Sequence, residues 1–106
     1  MSVFIGAVSK SEASKIKNKV VEVNNLINEA KSLDAYVTDP SSTWESQYDF
    51  KPYKYSRGVL FESYRMNDGR GWTKRSERYS TFDAMIVLNQ VARFLRSAIR
   101  KEKKYL

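Results

Sequence analysis

The fold is decided by residues 59–79, which read VLFESYRM-NDGRG-WTKRSERY. Their first eight residues are rich in apolar, aromatic and β-branched side chains, which is typical of a strand. The central residues 67–71 combine Asn, Asp and Gly, which tolerate a positive φ and favour a tight turn. The sequence therefore predicts a β-hairpin, with one strand over 59–66 and the return strand over 72–79.

An amphipathic helix is predicted on each side of this hairpin. Between residues 10 and 33, apolar side chains recur at steps of three and four, which is the helical period: Ala13, Ile16, Val20, Val23, Ile27 and Ala30. After the hairpin, Ser80 or Thr81 is expected to be the N-cap of a second helix. The predicted buried stripe of that helix is Ala84, Leu88, Val91, Ala92, Leu95, Ala98 and Ile99. Further apolar residues broaden this stripe, so we expect the helix to be buried over much of its circumference or to meet a partner: Phe82, Met85, Ile86, Val87 and Phe94.

Two more strands complete the prediction. The apolar run Val3–Val8 is read as a strand, and the aromatic residues at 48, 50, 53 and 55 alternate with polar residues on each side of Pro52. A proline here implies an edge strand, a bulge or a break, and it shifts the phase of the alternation. The predicted order is β-α-β-β-β-α. This corresponds to an α+β domain in which an antiparallel sheet of three to four strands packs with two amphipathic helices.

We expect about half of the four aromatic residues around Pro52 to face outward. Such a row of rings suits a protein partner as well as a nucleic acid.

The charge of the 106-residue chain is concentrated in one part of this single predicted domain. The chain has 19 basic and 12 acidic residues, a net charge of +7. Residues 1–40 carry five lysines and five acidic residues, so their net charge is zero, whereas residues 41–106 hold the whole excess and all eight arginines. We therefore interpret residues 1–38 as a strand-plus-helix scaffold and 39–46 as a connecting loop. Residues 47–106 are then a basic, aromatic sheet with a C-terminal helix.

The composition also excludes several classes of chemistry. The chain has no cysteine and no histidine, which excludes disulfides, a thiolate nucleophile, a Cys/His zinc site and a histidine general base. We predict no catalytic residue, no metal and no cofactor, and expect a non-enzymatic protein. No apolar run is long enough for a membrane span, and no basic region precedes the short apolar N-terminus. We therefore expect a cytoplasmic protein without a membrane partner.

Two groups of residues are candidates for binding an anionic partner. The first surrounds the hairpin turn and consists of Arg65, Arg70, Trp72, Lys74, Arg75 and Arg78. The two-residue period of a strand places Trp72, Lys74, Ser76 and Arg78 on one face. On such a face the aromatic ring can stack on a base, and the neighbouring cations can contact the phosphates. The second group lies at helical spacing on the last helix and consists of Arg93, Arg96 and Arg100, continued by Lys103 or Lys104.

Each group also has a purely structural explanation. In the structural explanation of the first group, the rings of Trp72 and Tyr79 are part of the core, and the arginines only keep the hairpin soluble. Cations near a helix C-terminus complement the helix dipole. The leading hypothesis is a nucleic-acid-binding protein, with single strands favoured over duplex. The alternative is a small protein-interaction module or inhibitor, of the phage or mobile-element type, that binds an acidic surface of a partner protein.

Residues 58–95 resemble the PC4/Whirly-like single-stranded-DNA-binding proteins. Those proteins have a strand of the type V-L-I-D-I-R, a polar Asp/Gly hairpin, a basic strand, and a helix that begins near a Ser or Thr cap. The matching segments here are Val59–Arg65, Asn67–Gly69, Lys74-Arg75 and Ser80-Thr81. The resemblance implies a homodimer whose sheets cradle single strands, with Trp72, Lys74, Arg75 and Arg78 near the nucleic acid.

Overall fold

The computed structural model describes residues 10–105, which form two long helices and a four-stranded antiparallel sheet. Along the chain the elements are α1 (Lys10–Ser32), β1 (Gln47–Phe50), β2 (Lys54–Ser56), β3 (Val59–Asn67), β4 (Trp72–Ser80) and α2 (Thr81–Lys103). The predicted α+β class is confirmed, and the observed bounds of α1, β3 and β4 are within one residue of the predicted ones. The strand predicted at Val3–Val8 lies outside the described residues.

Helix α1 buries the stripe that its periodicity predicts: Ile16, Val20, Val23, Ile27 and Ala30. The helix ends in a Schellman motif, in which Asp34 adopts a left-handed φ of 50°. The Ala35 N–H donates to the Ala30 carbonyl at 2.9 Å, and the Asp34 N–H donates to the Lys31 carbonyl at 3.1 Å. These bonds satisfy the last carbonyls of the helix and redirect the chain toward β1.

Strands β1 and β2 form one interrupted edge of the sheet, because both pair with β3 on the same side. Phe50 lies opposite Tyr64 and Lys54 lies opposite Phe61, so three residues, 51–53, face two residues of β3. This bulge confirms the phase shift predicted at Pro52. Asn24 of α1 replaces the missing strand pairing at Tyr53, since its side-chain amide donates to the Tyr53 carbonyl at 3.0 Å and accepts from the Tyr53 N–H at 2.7 Å.

Two tight turns set the sheet register. Arg57 and Gly58 join β2 to β3 with φ values of 52° and 77°, the positive pair that a type I′ hairpin requires. In the predicted turn between β3 and β4, the Asn67 Oδ1 accepts the N–H groups of Gly69 and Gly71 at 2.9 and 3.2 Å. The two long strands β3 and β4 therefore pair along their whole length, from Val59 opposite Ser80 to Asn67 opposite Trp72.

Strand β4 leads directly into α2, with Ser80 at the N-cap position. The Ser80 side chain makes no capping hydrogen bond with the backbone, and its hydroxyl lies 3.4 Å from the Asp83 carboxylate. The next residue, Thr81, fixes the start of the helix to the preceding hairpin, because its hydroxyl donates to the Gly58 carbonyl at 2.9 Å.

The core lies between the two helices and one face of the sheet. All seven residues of the predicted α2 stripe are buried, and the sheet adds Phe50, Tyr53 and Leu60. Two of the residues expected to broaden the stripe do not, since Phe82 is 74% exposed and Ile86 is 67% exposed. Near its beginning, α2 thus presents apolar side chains to solvent. Neither α1 nor α2 has a segment long and apolar enough to cross a membrane.

None of the four aromatic residues around Pro52 is exposed, contrary to the expectation that half would face outward. Phe50 and Tyr53 are buried, and Tyr48 and Tyr55 are half-buried. The bulge explains this outcome, because it turns the residues on both sides of Pro52 toward the helices.

Candidate nucleic-acid interface

The pleat of the hairpin divides its side chains between two faces. Leu60, Glu62 and Tyr64 of β3 point toward the helices, as their contacts with core and α2 residues require. The opposite side, which we call the open face, carries the residues Lys54, Phe61, Arg65, Trp72, Lys74 and Arg78, and Asp49 of β1 lies on the same side opposite Arg65. All β4 residues from 72 to 78 are exposed. The register places Trp72, Lys74 and Arg78 opposite Asn67, Arg65 and Phe61, which agrees with the predicted division of the β4 side chains between the two faces.

The open face contains two contacts between a cation and an aromatic ring. The Arg65 guanidinium carbon lies 4.9 Å from the centre of the Trp72 ring, and that of Arg78 lies 5.4 Å from the centre of the Phe61 ring. Each distance is within the ~6 Å over which a ring attracts a cation. Trp72 is 42% exposed, and it also lines a cleft of about 500 Å³ together with Arg65, Asp49 and the α1 residues Ile27 and Ala30, so its ring is partly accessible to solvent and partly covered. The two contacts are about 20 Å apart along β4, from the rise of a strand over six residues.

Arg65 is also held by Asp49 of β1. Its Nε and Nη2 atoms donate to the Asp49 Oδ2 at 3.0 and 2.8 Å. Partial burial opposes ionisation of Asp49, but the hydrogen bonds from Arg65 and the charge of Lys51 outweigh it and hold the pKa of Asp49 below its ordinary value. Arg65 therefore contacts both Asp49 and the Trp72 ring, and part of its charge is already neutralised.

The remaining cations of the open face are not neutralised in this way. Lys54, Lys74 and Arg78 form no ion pair with any residue in 10–105. In the register, Lys74 is the cross-strand partner of Arg65, and Arg78 and Lys54 flank Phe61 on its two sides. The open face thus presents three available cations beside two aromatic rings.

Two predicted residues of the hairpin do not belong to the open face. Arg70 lies in the exposed turn between β3 and β4. Arg75 is exposed on the other side of β4, as the cross-strand partner of Tyr64. Their charges add to the positive electrostatic potential around the hairpin, but their side chains extend from the turn and from the opposite face of β4.

The predicted arginines of α2 form a separate group, because α2 packs against the opposite side of the sheet. Arg93, Arg96 and Arg100 are all exposed. Arg96 is engaged with α1, its Nη2 atom lying 2.6 Å from the Glu22 Oε2, and Lys103 pairs with Glu29 at 2.9 Å. These two ion pairs connect the parallel helices. The structure does not bring the helix arginines and the open face into one surface.

Two members of the open face were not among the predicted site residues, namely Lys54 and Phe61. The alternation in β3 contains the signal for Phe61, since neighbouring side chains of a strand point to opposite faces and Leu60 is a core residue. Lys54 was not predictable, because its position depends on the bulge at Pro52. Within 10–105, no three acidic side chains come together in a way that suits a metal ion.

No protein-family model, curated protein or solved structure matches this chain. The likeness of residues 58–95 to the PC4/Whirly-like proteins accordingly stays a prediction.

Proposed function

We propose that this protein binds single-stranded nucleic acid, without catalysis, through the open face of its sheet. The observation that carries the proposal is the combination of the partly exposed Trp72 ring with available cations on one uncovered strand. Base stacking on an aromatic side chain contributes ~1–3 kcal/mol per base, and cations beside the ring contact the phosphates.

Charge alone does not lead to this proposal. An exposed edge strand such as β4 often carries Lys and Arg, which discourage it from pairing with another chain. That role explains Lys74, Arg75 and Arg78, but it does not explain a tryptophan on the same exposed strand. The ring is what favours a ligand with flat, stackable groups.

Single strands are favoured over duplex for a related reason. Bases in a duplex are stacked on each other and do not offer their faces to Trp72, whereas those of a single strand do. The paired state of Arg96 and the position of α2 behind the sheet leave the helix arginines a secondary role in long-range attraction.

The first test is the salt dependence of binding to a labelled single-stranded oligonucleotide. If Lys54, Lys74 and Arg78 each neutralise one phosphate, the affinity falls roughly 20-fold between about 50 and 200 mM salt. Fluorescence anisotropy measures both affinities. A protein that shows no binding at the lower salt concentration contradicts the proposal, and tighter binding to a duplex of the same sequence contradicts the preference for single strands.

The second test maps the surface with paired variants. Trp72→Ala is expected to weaken binding about 5- to 150-fold, the equivalent of one stacked base. Trp44→Ala is the matched control, because Trp44 is 82% exposed but lies in the loop before β1, outside the open face. We expect this variant to bind the oligonucleotide with unchanged affinity. In the same way, Lys74→Ala with Arg78→Ala reduces the salt dependence, whereas Arg75→Ala, on the other face, has a smaller effect. Equal losses from both tryptophan variants would exclude the open face as the binding surface.

The alternative function, binding to a partner protein, is favoured by a different observation. Phe82 and Ile86 are one turn apart on α2 and are both exposed, and exposed apolar neighbours are more typical of a protein interface than of a phosphate-binding surface. If the leading proposal is correct, replacing both Phe82 and Ile86 with serine is expected to leave the affinity for the oligonucleotide unchanged.

A further inference from the structure

A small cleft lies on the other side of the sheet, between strands β1, β3 and β4 and helix α2. Its volume is about 190 Å³, below the ~300 Å³ at which pockets for drug-sized ligands begin. Five aromatic rings line it: Tyr48, Phe50, Tyr64, Tyr79 and Phe94. We call it the tyrosine cleft.

The charged side chains that line the tyrosine cleft are both acidic. Glu62 lies at its buried side, with only 6% of the residue exposed, and Asp39 lies nearer the solvent. No lysine or arginine lines the cleft, although basic residues outnumber acidic ones in the chain. The cleft therefore has the opposite charge preference from the open face.

Glu62 is only partly satisfied by its neighbours. Its two carboxylate oxygens accept hydrogen bonds from the hydroxyls of Tyr53 and Tyr79, the latter at 3.1 Å. A carboxylate has about four acceptor positions, and no cation of residues 10–105 forms an ion pair with Glu62. Burial of a carboxylate is costly unless a positive charge or further hydrogen bonds compensate it. A cation in the cleft supplies that compensation.

The rings complete the site for a cation. Tyr48 stacks on Phe50 with ring centres 5.6 Å apart, and the tilted rings of Tyr64 and Phe94 lie 5.9 Å from it. These rings therefore cover part of one another, and the surfaces left for a cation are those that line the cleft. Aromatic faces are electron-rich and attract cations, and groups of such rings recognise methylated ammonium ions. Rings and a carboxylate in one small cleft thus match both properties of such an ion, its apolar surface and its charge.

The surrounding charges do not reverse this preference. The positive charge of Arg93 lies close enough to Asp39 to favour its ionised form, and that of Arg75 does the same for Tyr64. Neither arginine lines the cleft. Glu77, the cross-strand partner of Glu62, adds a further negative charge on the same side of the sheet.

We propose that the tyrosine cleft binds a small methylated ammonium ion, as a site separate from the open face. The charge of the ion faces Glu62, and its methyl groups contact the tyrosine and phenylalanine rings. This inference does not depend on the proposed nucleic-acid binding, because the two sites lie on opposite sides of the sheet.

The test compares choline with its neutral isostere, the dimethylbutanol in which carbon replaces the ammonium nitrogen. The two molecules have the same shape, so a difference in affinity reports the charge. We expect choline to bind about tenfold or more tightly, measured by NMR shifts of the Gln90 and Tyr64 backbone amides during titration. Equal affinities, or no shifts with either molecule, would overturn the proposal.

Variants of the intact chain identify the carboxylate. Glu62→Gln keeps the shape and an acceptor for the tyrosine hydroxyls, and is expected to remove the preference for choline over the isostere. Glu77→Gln is the matched control and retains that preference. If Glu62→Gln fails to fold, Tyr64→Ala serves in its place, because Tyr64 is only half-buried and its loss weakens choline binding several-fold. A folded Glu62→Gln protein with unchanged preference for choline would also overturn the proposal.

Discussion

Leu60→Ala is expected to lower the free energy of unfolding by about 2–5 kcal/mol. Leu60 is the second residue of β3, with Tyr55 of β2 on one side and Tyr79 of β4 on the other, and it is fully buried. Truncation removes its apolar contacts and leaves a cavity between the sheet and the helices. Domains of this size have a total stability of about 5–15 kcal/mol, so the loss is a large fraction of the total.

Urea unfolding followed by circular dichroism measures this loss, together with a decrease in Tm of at least about 8 °C. Val21→Ala is the control, since Val21 is exposed on α1 and its truncation is expected to change stability by no more than ~0.5 kcal/mol. A loss below about 1 kcal/mol for a natively folded Leu60→Ala protein would mean that the helices do not cover β3 as described.

Above about pH 10 we expect the protein to lose stability steeply. Burial, the nearby Glu62 charge and the hydrogen bond to Glu62 raise the pKa of Tyr53 far above its ordinary value. A tyrosine in the unfolded chain ionises near pH 10, so above this pH the unfolded chain has lost a proton that the folded chain keeps. Unfolding then becomes easier by about 1.4 kcal/mol per pH unit. Burial and Glu62 raise the pKa of Tyr79 as well, which steepens the decline.

Urea unfolding at several pH values between about 9 and 12 measures the slope, and Tyr53→Phe assigns it. The variant loses a hydrogen bond to a carboxylate, so it is about 1.5–3 kcal/mol less stable at pH 8. Its stability then declines less steeply above pH 10, because one of the shifted groups is gone. Tyr105→Phe changes an exposed ring and is expected to leave the profile unaltered. Identical slopes for Tyr53→Phe and the unaltered protein would contradict the role of Tyr53.

Periodicity and turn residues predicted most of the fold. The helical spacing in α1 and α2 identified the buried stripes, and the Asn-Asp-Gly turn identified the hairpin, because these signals are local. The environment of Phe82 and Ile86 was not predictable, since an apolar side chain is buried only if another element covers it. The pairing of Asn24 with the Tyr53 backbone is equally invisible in the sequence, because the two residues are far apart along the chain.

The candidate site was predictable to the extent that it lies on one strand. The two-residue period of β4 correctly grouped Trp72, Lys74 and Arg78 on one face. The sequence did not indicate that Arg65 pairs with Asp49 or that Arg96 pairs with Glu22, because each ion pair joins different elements. Whether two basic segments form one surface is likewise decided by tertiary packing, and here the sheet separates them.

The bulge at Pro52 changes which residues of this edge face the helices. Before the bulge the even-numbered aromatic residues Tyr48 and Phe50 face the helices, and after it the odd-numbered Tyr53 and Tyr55 do. Loss of a single residue between Phe50 and Tyr53 would leave two residues opposite two residues of β3, so the edge would become a regular strand in which Lys54 and the two tyrosines keep their present faces. The bulge therefore carries one surplus residue, and what a deletion would remove is the displaced Tyr53 backbone that Asn24 of α1 holds. Such a deletion is expected to preserve the sheet and to weaken its connection to α1.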